Sequence, residues 1–228
     1  APPGATDLMD EDAVRLALEQ IYEDGGLTQT CFGGLSDDEL AFVNSDEHGG
    51  HGAHVYGDTD LALVTHLFRV MRGQEMDEHD VFCDLGSGSG KLVLSACLLT
   101  PVSRAEGIEL SPTRHTQASS AAEQAHAHGL LDVKSAARLR LCSGSMLDHS
   151  LADTTLVFCY GLALDDAFLA TLRRYLASQL PLGASVVMRG KPLPMTEAGA
   201  EACHRLDLVL ETNIVNRQHQ YFGYRVVQ

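Results

Sequence analysis

Val81-Phe82-Cys83-Asp84-Leu85-Gly86-Ser87-Gly88-Ser89-Gly90-Lys91 is the stretch whose reading decides the fold. A short apolar run enters three alternating glycines, and Leu92, Val93 and Leu94 then begin an apolar helical segment. Strand, glycine turn and helix in that order open a nucleotide-binding α/β sheet. Glycines let a ligand approach backbone where any Cβ would collide. Nicotinamide, flavin and S-adenosylmethionine (SAM) folds all use such a turn, and a turn serving packing alone is the plainer reading.

Downstream the pattern alternates between strand and helix. Candidate strands are residues 81–85, 105–109, 138–142, 155–159 and 184–188, with a last one over 221–226 after the polar stretch 216–220. Helices are expected over 91–99, 111–128 and 165–180, the second with Ser111 as cap and Pro112 in its first turn. This alternation predicts a largely parallel sheet covered by helices on both faces. Upstream, Val14, Ala17, Leu18 and Ile21 stripe a helix over 10–23, ended by Gly25-Gly26. Thr59 or Asp60 caps a second helix that carries Leu61, Leu63, Val64, Leu67, Phe68 and Met71 and stops at Gly73. Residues 27–54 read as irregular, either a disordered connection or a lid. The expected division is an N-terminal helical extension and lid, residues 1–80, followed by a cofactor-binding domain, residues 81–228.

Three features narrow the ligand. Asp84 stands two residues before the first glycine, where a carboxylate suits an ammonium group better than a pyrophosphate. A phosphate loop would need glycine at Leu85 and a hydroxyl residue at Leu92. Glu109 ends the second strand, where an acid accepts both ribose hydroxyls of a nucleoside. The set favours SAM over a nicotinamide dinucleotide, with Gly86, Ser87, Gly88 and Gly90 forming the cradle.

These residues resemble the Dot1-like class of SAM-dependent methyltransferases, whose well-known members methylate a lysine of the histone H3 core. Val55-Tyr56-Gly57-Asp58-Thr59 is similar to the family's VYGET loop, and Asp84 through Gly90 to its DLGSGxG motif. Gly107-Ile108-Glu109 resembles the ribose-binding segment, and Gly190-Lys191-Pro192-Leu193 the SKPF segment after the fifth strand. The resemblance implies a Rossmann-like, seven-stranded class I methyltransferase sheet, with SAM as cofactor and S-adenosylhomocysteine (SAH) as product. It places Tyr56, Asp58 and Thr59 on the methionine part, Asp84 on its amino group and Glu109 on the ribose. Where the family has glycine-aspartate beside adenine, this chain has Gly144-Ser145-Met146; Ser145 is the weaker acceptor and Met146 a packing surface. The family's NNFAF after the fourth strand stands here as Tyr160-Gly161-Leu162-Ala163-Leu164, without the amides. Tyr160 is the residue expected to position the acceptor, as a channel wall and not as a base.

The expected activity is methyl transfer from SAM to a lysine or other nitrogen of a protein. A small-molecule N- or O-methyltransferase with a rebuilt acceptor pocket is one alternative, a non-catalytic SAM-binding regulator another. Residues 1–80 hold eighteen of the 31 acids against Arg15, Arg69 and Arg72, so this third carries the whole net charge of −15. That face repels nucleic acid and suits a basic protein or a cationic small acceptor, although a solubilising face reads equally well. With only Lys91, Lys134 and Lys191, the chain shows no basic tail for phosphate. His48, His51 and His54 have helical metal-site spacing, but Gly49, Gly50 and Gly52 oppose a helix and no partner ligands are evident. No metal is therefore expected, and a lid with protonatable side chains competes with a plain polar loop. Lys191 lines the acceptor side or is a solvated turn lysine. The six cysteines form no CxxC pair, and no apolar run approaches the roughly 20 residues of a membrane span. An intracellular location, cytoplasmic or nuclear, is expected.

Overall fold

The computed structural model describes residues 11–24, 35–50, 59–194, 205–214 and 219–228. The elements are helices α1 (Glu11–Asp24) and α2 (Asp37–Val43), a 3₁₀ turn (Asp46–His48), α3 (Leu61–Arg72), β1 (Val81–Leu85), α4 (Lys91–Leu99) and β2 (Arg104–Glu109). They continue with α5 (Pro112–Ala127), α6 (Val133–Arg138), β3 (Leu139–Ser143), β4 (Leu156–Tyr160), α7 (Asp166–Gln179), β5 (Ser185–Arg189), β6 (Arg205–Ile214) and β7 (His219–Val227). Tyr56, Asp58, His51 and His54 lie outside the described residues.

The seven strands form one sheet in the order β3-β2-β1-β4-β5-β7-β6. The first five are parallel, whereas β7 runs antiparallel to both β5 and β6. Alternation along each strand feeds two cores. Phe82, Leu156, Phe158 and Val187 pack with Val14, Leu18 and Phe68 of α1 and α3 and with much of α4. Cys83, Leu85, Val157, Cys159 and Met188 face the other way, onto Phe168, Leu169, Leu172 and Leu176 of α7. Helices thus cover both faces, as the alternating sequence predicts.

Cap chemistry sets the helix starts. Asp60, not Thr59, caps α3 by accepting from the Ala62 amide at 3.0 Å. Ser111 and Asp165 cap α5 and α7 in the same way. Three elements differ from the sequence reading. Helix α2 lies in the segment expected to be irregular; Ser36 caps it and Asp37, Asp38 and Glu39 fill its first turn, but seven residues carry too little periodicity to announce it. Helix α6 is similarly short. Strand β6 was not anticipated because a register shift between Leu208 and Leu210 breaks its alternation, and Leu208 and Val209 stay about half exposed at the sheet edge. Among the described residues, no helix is long and apolar enough to cross a membrane.

Chain order reverses between β1 and β4, so the crevice at their carboxyl ends is where such a sheet holds a ligand. Asp84, Glu109 and Tyr160 all stand at that end of the sheet.

Candidate functional site

The glycine turn is fastened to β2 from two sides. The amides of Gly86 and Ser87 both donate to the Ile108 carbonyl, at 2.9 and 3.1 Å, and the Gly88 amide donates to Glu109 Oε2 at 2.7 Å. Gly86 and Gly90 have φ of 81° and 77°, which disfavours any side chain there. Close approach also requires Gly107: a Cβ on it would come within 2.8 Å of Ser87 and Val93. From behind, Tyr22 of α1 donates its hydroxyl to the Ser89 carbonyl at 2.9 Å.

Glu109 ties two elements of the site together. Its Oε1 accepts from the Ser111 amide at 2.8 Å, so one carboxylate joins the turn to the start of α5. Burial raises its pKa, against the opposing pull of the Ser111 and Gly88 amides and of Arg114. Asp84 is 5% exposed and makes no hydrogen bond with a described residue. Burial first, and then the charge of Glu109, pushes its carboxyl up to about 8. Two buried carboxylates at one crevice, one of them unpartnered, form a donor set that a cationic ligand would relieve. An ammonium group with a nucleoside attached fits it.

Thr59, Asp84, Gly86, Ser87, Gly88, Glu109, Met146 and Tyr160 line a single cavity of about 90 Å³. The methyl of Met146 reaches within 3.8 Å of where a Gly86 Cβ would stand. Gly90 and Ser145 are outside that lining: Gly90 caps α4, and Ser145 Oγ accepts from the Leu147 amide at 3.3 Å. The volume is below the roughly 300 Å³ and more of typical ligand sites. A larger cavity of about 510 Å³ lies between α1, the start of α3 and α4, and shares Thr59 and Lys91 with the first. Neither Asp84 nor Glu109 is among its lining residues.

Several residues at the site were not foreseen. Glu39 of α2 reaches the start of α5, where it accepts from Ser111 Oγ at 2.5 Å, Thr113 Oγ1 at 2.6 Å and the Thr113 amide at 3.0 Å. Those bonds and Arg114 bring its pKa below the usual value despite burial, the largest contribution, which acts the other way. Nothing in the sequence around Glu39 can name a partner 72 residues away. Arg189, ending β5, lies 4.7 Å over the Tyr160 ring and donates to Thr59 Oγ1 at 2.6 Å. Strand register places it beside Tyr160, which no local motif reveals. Lys191 is not among the lining residues and donates to the Leu164 carbonyl at 2.8 Å. His48 lines the cavity together with Val43 and Leu164.

The sequence profile described as "Histone methylation protein DOT1" matches residues 47–178. No curated protein matches the chain in sequence. Among solved structures, an RNA methyltransferase from Salinibacter ruber in complex with SAH superposes with a TM-score of 0.53 at 22% identity, over 74% of this chain and 93% of its own. The putative methyltransferase yhhF of Escherichia coli gives 0.52 at 18% identity, over 75% of this chain and 88% of its own. The rRNA methyltransferase aviRa of Streptomyces viridochromogenes gives 0.50 at 15%, over 75% and 86%. At these identities the likeness is one of fold. The profile, in contrast, spans more than half of the sequence and contains the glycine turn, both buried carboxylates and Tyr160, and on that ground the chain belongs to the DOT1 histone methylation family of SAM-dependent methyltransferases.

Proposed function

We propose that this enzyme methylates a nitrogen of a protein, with a lysine side chain as the leading acceptor. The observation that carries the cofactor half is Asp84, a buried carboxyl with no hydrogen-bond partner among the described residues, beside Glu109 at the mouth of the glycine turn. SAM supplies an electrophilic methyl on a sulfonium. In this reading Asp84 receives the amino group, Glu109 the ribose hydroxyls and Met146 one face of the adenine, while Gly86, Ser87 and Gly88 let the backbone come close. Thr59 holds the methionine end, and Gly90 and Ser145 support the turn and the adenine loop from outside the cavity lining. Tyr56 and Asp58 keep the role that the resemblance implies. Tyr160, clamped by Arg189, forms the wall that aligns the acceptor with the S–CH3 bond.

Membership of the DOT1 family and the charge of the N-terminal third support a basic protein as acceptor. All of the net −15 falls within residues 1–80, which attracts cations and repels phosphate. A small cationic acceptor is the second reading, favoured by the loss of the family's amides at Tyr160 and Gly161. Calorimetry with SAM and SAH comes first, because absence of binding at millimolar concentration removes the whole reading. Labelled SAM is then incubated with core histones, with total RNA and with a small-molecule extract. Label in protein supports the leading acceptor; label only in RNA or only in small molecules replaces it.

A further inference from the structure

His48 stands on the short 3₁₀ turn before the family's first motif, among the residues lining the cavity. Both of its hydrogen bonds are made by Nδ1, to the Phe42 carbonyl at 3.0 Å and to Ser45 Oγ at 2.8 Å. A carbonyl can only accept, so Nδ1 carries the hydrogen and Ser45 Oγ shares it as second acceptor. In the neutral ring, Nε2 is then a lone pair. Among the described residues Nε2 has no hydrogen-bond partner. The ring is further fixed by the Phe42 ring, with centroids 4.7 Å apart. Its turn is tied down as well: the Gly49 carbonyl accepts from the Asp165 amide at 3.0 Å, at the cap of α7. A Cβ on Gly50 would come within 2.6 Å of Asp165 Oδ2.

We infer that His48 is a catalytic residue of the methyl transfer proposed above, its Nε2 accepting a proton from the incoming nitrogen. The inference rests on that reading for its reaction and on the geometry of His48 for its agent. An alkylammonium cannot attack carbon until it loses a proton. That proton passes to Nε2, the freed lone pair forms the new N–C bond, and the C–S bond breaks with its electron pair kept by sulfur. Imidazolium then returns the proton to solvent, so one proton is released per turnover.

Among the described residues, the charges around His48 do not compete for this role. Glu47 of the same turn is exposed. On α7, Asp165 Oδ1 accepts from the Phe168 amide at 2.7 Å and Asp166 lies 3.8 Å from Lys191. Across the cavity, Lys91 and Arg114 from α4 and α5 stand with Asp84 and Glu109 from the strands. Tyr160, with Arg189 over its ring, completes the strand side.

Two substitutions separate the two nitrogens. His48→Asn retains a donor near the Nδ1 position and deletes Nε2, whereas His48→Gln places a non-basic amide near Nε2. With core histones and labelled SAM, both variants should keep wild-type affinity for SAH and lose about 10²-fold or more in kcat at neutral pH. The deficit should shrink toward pH 10, where the free amine needs no base. A parallel loss at every pH, or wild-type turnover in His48→Asn, overturns the inference. Nitrogen-15 NMR of the imidazole rings in the SAH complex is independent of the acceptor. It should show a His48 signal, identified by its absence in His48→Asn, with Nε2 unprotonated and shifting when n-butylamine is added. An Nε2–H tautomer, or no response to butylamine, overturns the inference even if histones prove to be the wrong acceptor. No SAH binding by the wild type overturns the methyltransferase reading instead.

Discussion

Replacing Asp84 by Asn should stabilise the free enzyme while crippling its use of cofactor. The carboxyl has a folded pKa of about 8 against a reference of 3.8, because burial and the neighbouring Glu109 penalise its charged form. Above pH 3.8 the unfolded chain gives up this proton and the folded chain keeps it until about pH 8. The unfolded state therefore binds fewer protons, and the Asp84 contribution to stability falls as pH rises across that window. At about 1.4 kcal/mol per pH unit, the penalty relative to a neutral isostere reaches a ceiling of about 5 kcal/mol at pH 7.5. A side chain lining a cavity keeps part of its hydration, and half of that ceiling, roughly 2–3 kcal/mol, is the working expectation. For a chain of this length that corresponds to a Tm about 5–10 °C higher in Asp84→Asn. In the proposed binding mode the same change removes a charge-assisted bond to the cofactor ammonium, worth roughly 1.5–3 kcal/mol, or about 10- to 150-fold in Kd for SAH. Scanning calorimetry at pH 7.5 and pH 5, with titration calorimetry against SAH, reads both effects. The Tm gain should be largest at pH 7.5 and mostly gone at pH 5. An unchanged or lower Tm at pH 7.5, or equal gains at both pH values, would refute the assignment of Asp84 as a buried, unpartnered acid.

Glu109→Gln must present an amide N–H to either the Gly88 or the Ser111 amide, both now bonded at 2.7 and 2.8 Å, and should cost roughly 1–3 kcal/mol in urea unfolding as well as SAH affinity. Glu39→Ala should release α2 from α5, seen as faster amide exchange over residues 37–43 and faster cofactor exchange through the widened cavity. Because the Glu39 pKa is lowered from 4.5, its contribution is full above that pH and lost as pH falls through the depressed value, so wild type and Glu39→Ala should converge in acid. Gly107→Ala would drive a methyl to within 2.8 Å of Ser87 and Val93 and should lower stability by about 1–3 kcal/mol, measured as a fall in Tm.

Chain-local signals carried much of the fold and of the candidate site's glycine turn. The run from Val81 to Lys91 announces strand, turn and helix because each is encoded by adjacent residues: apolar alternation, glycines with positive φ and an apolar helix face. Caps such as Ser111 are equally local, since the bonded amide is three residues away. Legibility ended where periodicity was short or broken, as in α2, α6 and the bulged edge strand β6. It ended again at partners distant in sequence. Glu39 with Ser111, and Arg189 with Thr59, are separated by 72 and 130 residues.

The sequence by itself determined the parallel α/β scaffold, the glycine turn and the two acids that stand at its carboxyl end. Tertiary structure decided the environment of those acids and the company of Tyr160. It left Asp84 without a described hydrogen-bond partner, put Arg189 over Tyr160 and brought His48 to the cavity with Nδ1 already committed. The physical reason is range. Propensity, capping and alternation act over a few residues, whereas burial, charge proximity and the choice of a free nitrogen depend on which distant elements the packed sheet brings together.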